Sequence, residues 1–296
     1  MSRGAVLKSA AFFFRANGPV VLARLLAALA AAALIVLIGG PIRHVALRRG
    51  WRLGESLPPL LHRALCFGLG VRLHVHGRAS DFRPQLVVPN HVSWLDIVVL
   101  GALRPTAFLA KKEVGARFLA RLLVGLQGAV YVDRGRRRKI PLVNAEMARR
   151  MRAGSAVVLF AEATTNDGNR ILRFKSSHFE ASRLALDDPL HSAMVQPIFI
   201  AYSRRGGLPL GRAERPFVAW YGDMTFFSHL WRFLLAGSVD CDLYCGAPLY
   251  VHRGEHRKQI ARRAERAVRA LAEQARLGRL EPSPAKSAIL PAAQRL

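Results

Sequence analysis

The chain has 296 residues, of which 51% are hydrophobic, enough for a sizeable core in one large domain or two small ones. Lys and Arg number 45 against 19 Asp and Glu, and this net charge of +26 calls for a polyanionic partner, either nucleic acid or an anionic membrane surface. The three cysteines, Cys66, Cys241 and Cys245, form no Cys-x-x-Cys pair and lie near no His at metal-ligand spacing, which argues against a disulfide framework and a zinc site and fits a reducing compartment.

Residues 19–42, "PVVLARLLAALAAAALIVLIGGPI", are apolar over a membrane-spanning length and interrupted only by Arg24. They predict a membrane-anchoring helix; a cleavable signal peptide is disfavoured because no small-x-small site follows, and a buried core helix is the third reading. Arg3, Lys8 and Arg15 precede the run and Arg43, Arg48, Arg49 and Arg52 follow it, so the flanking charge selects no orientation and leaves open a helix lying in the interface.

Beyond the anchor, period-2 and short apolar runs predict strands at 71–76, 85–89, 106–110, 128–132, 155–160, 195–201, 216–220 and 242–246. Helices are predicted at 92–103, 114–124, 139–152 and 175–187. The alternation implies an α/β fold, a mixed sheet flanked by helices, with the membrane-anchoring helix at its N-terminus. Residues 226–236, "FFSHLWRFLLA", mix aromatics with Leu as interfacial segments do. Residues 253–277 set Ile260, Ala264, Val268, Leu271 and Ala275 at helical spacing under an Arg-rich surface, which suits either packing on the domain or contact with anionic lipid. The expected organisation is an anchor with its basic flank over 1–55, an α/β domain over 56–252, and a basic amphipathic helix with a loose tail over 253–296.

Within "VVPNHVSWLDIVVLGAL", residues 87–103, His91 and Asp96 stand in an otherwise apolar run. Five positions on a continuous helix rotate the two side chains about 140° apart. Pro89 disfavours helix before it and Ser93 is a suitable N-cap, so His91 is placed on a strand-to-helix loop and Asp96 in the first helical turn. From there the carboxylate can reach one imidazole nitrogen and leave the other free to accept a proton. The plainer reading is a chance histidine beside an aspartate that stabilises the helix start.

"PNHVSWLDIVVL" resembles the HX4D block of the glycerolipid acyltransferases, the 1-acylglycerol-3-phosphate acyltransferases and their relatives. Three further blocks resemble that family's in order: "GAVYVDRGRRR" (128–138), "LFAEATTNDGNRILRFKSSHFEAS" (159–182) and "VQPIFIAY" (195–202). The resemblance implies O-acyl transfer from an acyl thioester, acyl-CoA or acyl carrier protein, to a lysolipid hydroxyl, with His91 as general base and Asp96 orienting it, and with no cofactor or metal. It implies 1-acyl-sn-glycerol-3-phosphate as the first expectation for the acceptor. It also implies a bacterial inner-membrane location with the catalytic domain on the cytoplasmic face. The chain has no Gly-x-Ser-x-Gly elbow, Walker A or Gly-x-Gly-x-x-Gly pattern to support a serine hydrolase or a nucleotide-driven reaction.

Arg134 is the first candidate for holding a headgroup phosphate, with Lys175 and then Lys111 and Lys112 behind it; Arg136, Arg137 and Arg138 read as a solvated or membrane-facing loop. Glu162 and Thr164 are expected to position the acceptor by hydrogen bonding, and Asn166, Asp167 and Gly168 to form a turn. The family commonly has Glu-Gly-Thr-Arg where this chain has Glu162, Ala163, Thr164 and Thr165. Ala at 163 means that the backbone there either avoids positive φ or tolerates it under strain. Thr165 removes a bidentate cation that a hydroxyl does not replace, which raises lyso-ornithine lipid as the alternative acceptor. A membrane-tethered nucleic-acid binder is the reading from another class, but arginines grouped near the anchor and the interfacial segment fit lipid better, so nucleic acid is not expected as a partner.

Overall fold

The computed structural model describes residues 3–49, 53–111, 130–132, 137–186, 192–235 and 237–279. Its N-terminus is a long helix, α1 (Arg3–Leu34), continuing through a π-turn (Ile35–Gly39) into α2 (Gly40–Arg48). Pro41 accounts for the widened turn: it has no N–H for the Leu37 carbonyl and its ring crowds that oxygen, so the helix takes in an extra residue just before it. Gly18–Ala46 is long and apolar enough to cross a membrane, and only 6% of its most apolar window is buried. Helix α3 (Leu53–Leu69) packs along α1, and a Cβ built on Gly68 would lie 2.3 Å from the Ala28 Cβ, so these helices meet where both residues are small. The strand and helix patterns did not predict α3, which contains Pro58 and Pro59.

The strands form one sheet. They are β1 (Val71–His76), β2 (Gln85–Pro89), β3 (Thr106–Lys111), β4 (Val130–Val132), β5 (Ala156–Val158), β6 (Ala193–Arg205), β7 (Leu208–Pro209), β8 (Val239–Cys245) and β9 (Leu249–Val251). Their order is β1-β8-β6-β2-β5-β3-β4, with β7 and β9 also on β6. The run from β6 through β2, β5 and β3 to β4 is parallel, whereas β8, β7 and β9 lie antiparallel to β6, so the sheet is mixed as predicted. Strand β2 is buried throughout because helices cover both faces. On one face Leu86, Val88, Val157 and Val195 meet α5 (Ile140–Arg152), α6 (Glu180–Leu184) and α8 (Arg257–Arg276). On the other, Val87, Val158, Ile198 and Leu243 meet α3, α4 (Leu95–Leu103) and α7 (Phe226–Leu235). Helix α8 thus completes the domain's core through Ile260, Ala264 and Val268.

Several boundaries differ from expectation. The predicted strand at 216–220 is a 3₁₀ turn (Arg215–Phe217) followed by loop, because its backbone bonds close locally, Val218 N–H to Arg215 O and Ala219 N–H to Arg215 O, while the Trp220 N–H goes to Val92 O. The predicted helix at 175–187 divides into a 3₁₀ turn (Ser176–Phe179) and the short α6. Strand β6 runs past 195–201 at both ends, and β7 and β9 were not foreseen. The predicted helix at 114–124, and all but 130–132 of the predicted strand at 128–132, lie outside the described residues.

Asn90, immediately after β2, holds that strand's end to β6. Its Nδ2 donates to Ile200 O at 3.1 Å and its Oδ1 accepts from Ile200 N at 2.7 Å, continuing the ladder with a side-chain amide where the backbone turns away. Asn90→Ala would leave both Ile200 groups unpaired inside the protein, at a cost of about 2–4 kcal/mol. We expect a lower unfolding midpoint in chemical denaturation; an unchanged midpoint would remove this strap from the fold's support.

Candidate active site

The parallel strands end together, and the loops beyond the carboxyl ends of β2 and β5 converge there, the usual ligand position in open α/β sheets. The loop after β2 carries His91. Asp96 lies in the first turn of the following helix and is fully buried, at 0% exposure, so its charge needs partners. It has four. Oδ2 accepts from His91 Nδ1 at 2.8 Å, from Val92 N at 2.7 Å and from Ser93 N at 2.9 Å. Oδ1 accepts from the Tyr202 hydroxyl at 2.8 Å. Burial and the adjacent Asp96 charge push the Tyr202 phenol well above its usual range, so it keeps its proton and donates it.

This is the juxtaposition that the spacing predicts. With Nδ1–H donated to Asp96, the lone pair is on Nε2, which makes no hydrogen bond among the described residues. The Phe160 ring stacks on the imidazole at 3.9 Å between centroids and 20° between planes, fixing its plane. The helix start differs from expectation: Trp94 is the N-cap residue, and the buried Ser93 hydroxyl finds no partner among the described residues. The Asp96 N–H that a Ser93 cap would take goes to Ser93 O at 3.1 Å, while the Asp96 carboxylate accepts from the Val92 and Ser93 N–H groups.

The loop after β5 contributes a second buried carboxylate. Glu162 Oε1 accepts from His91 N at 2.9 Å; Oε2 accepts from Asn166 Nδ2 at 2.8 Å and from Leu172 N at 2.9 Å. Expected to hold the acceptor, Glu162 instead faces inward at 2% exposure and braces the backbone of His91. Asn166 keeps the turn role expected of it, its Oδ1 accepting from Gly168 N at 2.8 Å, and adds to it: it is buried, bonds Glu162 and donates to His91 O at 3.3 Å. The turn assignment also describes Asp167, whose Oδ1 accepts from Asn169 N, and Gly168, at φ +77°. Ala163 takes φ +63°, so of the two options open to it the strained one holds.

Thr164 is exposed, with its hydroxyl donating to Thr165 O at 3.3 Å; Thr165 is half-buried and Lys175 exposed. Nothing in these contacts assigns the three to a ligand. Arg134 and Lys112 lie outside the described residues. Sequence reasoning missed Tyr202, although strand alternation puts it on the same face as Ile198 and Ile200, where a buried hydroxyl needs an acceptor.

The geometry is matched by similarity. A model of the acyltransferase family matches residues 72–201. A lyso-ornithine lipid O-acyltransferase of Brucella abortus is 41% identical over 237 residues, covering 80% of this chain and 88% of the relative. Its counterpart in Rhizobium meliloti is 38% identical over 239 residues, covering 78% and 82%. A 1-acyl-sn-glycerol-3-phosphate acyltransferase of Neisseria meningitidis is 30% identical over 215 residues, covering 71% and 78%. In fold, the chain resembles the crystal structure of the 1-acyl-sn-glycerophosphate acyltransferase PlsC of Thermotoga maritima, with a TM-score of 0.55 at 18% identity, covering 86% of this chain and 95% of that one.

Burial pushes the Glu162 carboxyl up to about 7, with the nearby Asp96 charge adding to the rise and its three N–H donors opposing it. Unfolded, a glutamate titrates near 4.3, so between that value and about 7 the folded protein holds a proton that the unfolded chain has released. Stability from this group is therefore complete at the acid end of the window and is lost as pH rises through about 7. We expect an unfolding free energy falling by about 1–3 kcal/mol across this window, and a flatter profile in Glu162→Gln. Parallel profiles for the two proteins would contradict the assignment.

Proposed function

The chain belongs to the acyltransferase family, and from that premise we propose that it is a membrane-bound enzyme moving an acyl chain from a thioester to the hydroxyl of a lyso-ornithine lipid. The observation that carries the reaction is the 2.8 Å contact between His91 Nδ1 and a buried Asp96 at the carboxyl end of β2. His91 Nε2 takes the acceptor proton as the hydroxyl oxygen attacks the thioester carbonyl. The tetrahedral adduct expels the thiolate, and the imidazolium, stabilised by Asp96, returns the proton to the departing sulfur. No covalent enzyme intermediate is required. The cysteines are poorly suited to form one: burial pushes Cys66 up to about 12 and Cys245 up to about 11, and raises Cys241 as well.

Two observations favour the lyso-ornithine acceptor over the phosphate-bearing one first expected. The relatives named for lyso-ornithine lipid match this chain at higher identity than those named for 1-acyl-sn-glycerol-3-phosphate. Thr165 also stands where the phosphate-binding pattern has Arg. Membrane attachment is supported by the exposed apolar Gly18–Ala46 and by α7, which touches α1 and exposes Phe227 and Trp231. Membership of an enzyme family displaces the nucleic-acid reading.

With acyl-CoA and acyl carrier protein as parallel donors, we expect transfer to lyso-ornithine lipid to exceed transfer to lysophosphatidate. His91→Ala should lower kcat by about 10²–10⁴, with Asp96→Ala severe but leakier. Near-normal turnover in folded His91→Ala protein would sink the mechanism, and a preference for lysophosphatidate would sink the acceptor. For location, the full chain should stay with the membrane pellet through high-salt and alkaline carbonate washes, where a peripheral protein would be released.

A further inference from the structure

Beside the candidate site, three arginines, two from the 211–215 turn and one from the end of α8, meet around Asn169. Arg276, the last residue of α8, donates from Nη2 to Asn169 O at 3.1 Å, and Arg215 Nη1 approaches Asn169 Oδ1 at 3.4 Å. Asn169 Nδ2 in turn donates to Arg212 O at 3.1 Å. One asparagine thus holds three cationic residues together. No carboxylate pairs with these guanidinia among the described residues: Glu214 Oε2 accepts from Gly211 N at 3.1 Å, and Asp167 accepts from Asn169 itself. The crowding is felt at Arg276, where burial and then the neighbouring Arg215 and Arg212 charges lower its proton affinity. Grouping like charges without a counter-ion is unfavourable, and the arrangement gains from an arriving anion.

The cluster adjoins the catalytic loop. A Cβ built on Gly168 would lie 3.3 Å from Val92 Cγ1 and 3.7 Å from Arg215 Cβ, so a single glycine separates Arg215 from the residue following His91. Asn166, two positions before it, donates to His91 O. Thr165 has lost the cation of the usual pattern, while these three cations come from elsewhere in the chain to the adjoining turn.

The geometry points to a headgroup subsite in which Arg212, Arg215 and Arg276 receive the carboxylate of the acceptor lipid. Ornithine acylated on its α-amine retains a free carboxylate a few bonds from the acylated chain, and guanidinium forks match a carboxylate bidentately. This assignment rests on the acceptor proposed above.

The test is steady-state kinetics of the full chain in detergent, comparing wild type with Arg215→Gln, Arg276→Gln and Arg276→Lys. The acceptors are lyso-ornithine lipid, its neutral carboxamide analogue and lysophosphatidate. Each Gln variant should raise KM for lyso-ornithine lipid by about tenfold or more, with kcat held within about twofold, and Arg276→Lys should recover part of the loss. Wild type should discriminate against the carboxamide, and on that analogue the variants should converge with wild type. An unchanged KM for lyso-ornithine lipid in both Gln variants, or equal use of carboxylate and carboxamide by wild type, overturns the subsite. If wild type acylates lysophosphatidate and not lyso-ornithine lipid, the acceptor reading has failed. The same variants on lysophosphatidate then judge the cluster, a raised KM supporting an anion subsite and an unchanged KM rejecting it.

Discussion

The buried Asp96 carboxylate is the interaction on which the site depends. A charge with no exposure is tolerable only if its lone pairs are occupied, and the four donors that occupy them come from His91, Val92, Ser93 and Tyr202. Satisfying one group therefore fixes the turn after β2, the entry into α4, the face of β6 that carries Tyr202, and the imidazole plane. The same contacts give the histidine its tautomer. Stability and chemistry thus draw on one set of hydrogen bonds.

Glu162 repeats that logic from the other loop with less margin. Its donors fix the backbone of His91 and Leu172, but burial and the nearby Asp96 charge both oppose ionisation. Next to it Ala163 is held at positive φ, a conformation in which a Cβ costs about 1–2 kcal/mol. The turn is thus under strain on two counts, and it persists because β5 on one side and the Lys175 N–H to Ala161 O bond on the other constrain it.

How much of this was legible in the sequence follows from what each feature depends on. The His91–Asp96 contact was legible because a proline-terminated strand, a loop and a helix start fix it locally. The mixed sheet was legible from the period-2 alternation at 71–76, a strand with Val71 buried, and from the apolar run at 85–89, a strand buried throughout. Residues 216–220 misled because an apolar, aromatic stretch reads the same whether its N–H groups go to a neighbouring strand or back onto its own turn. Glu162 misled for a related reason: sequence placed a carboxylate near the site but could not show that both its oxygens would turn toward backbone donors. The grouping of Arg212, Arg215 and Arg276 was least accessible, since it depends on bringing the end of α8 against two loops far away in the chain.

The site is also joined physically to the apolar N-terminus. Trp94, three residues after His91, donates from Nε1 to His229 Nδ1 at 3.1 Å and meets Phe226 and Phe233 edge-on, so α7 is clasped to the loop that carries His91. Burial lowers the proton affinity of His229, which keeps that acceptor lone pair available. Helix α7 touches α1, and Leu25 of α1 packs against the core shared by α4 and α7. Contacts therefore run from α1 through α7 and Trp94 to the loop bearing His91. Under the function proposed above, in which the acceptor's acyl chain lies in a bilayer, that linkage ties His91 to the helix proposed to meet the lipid.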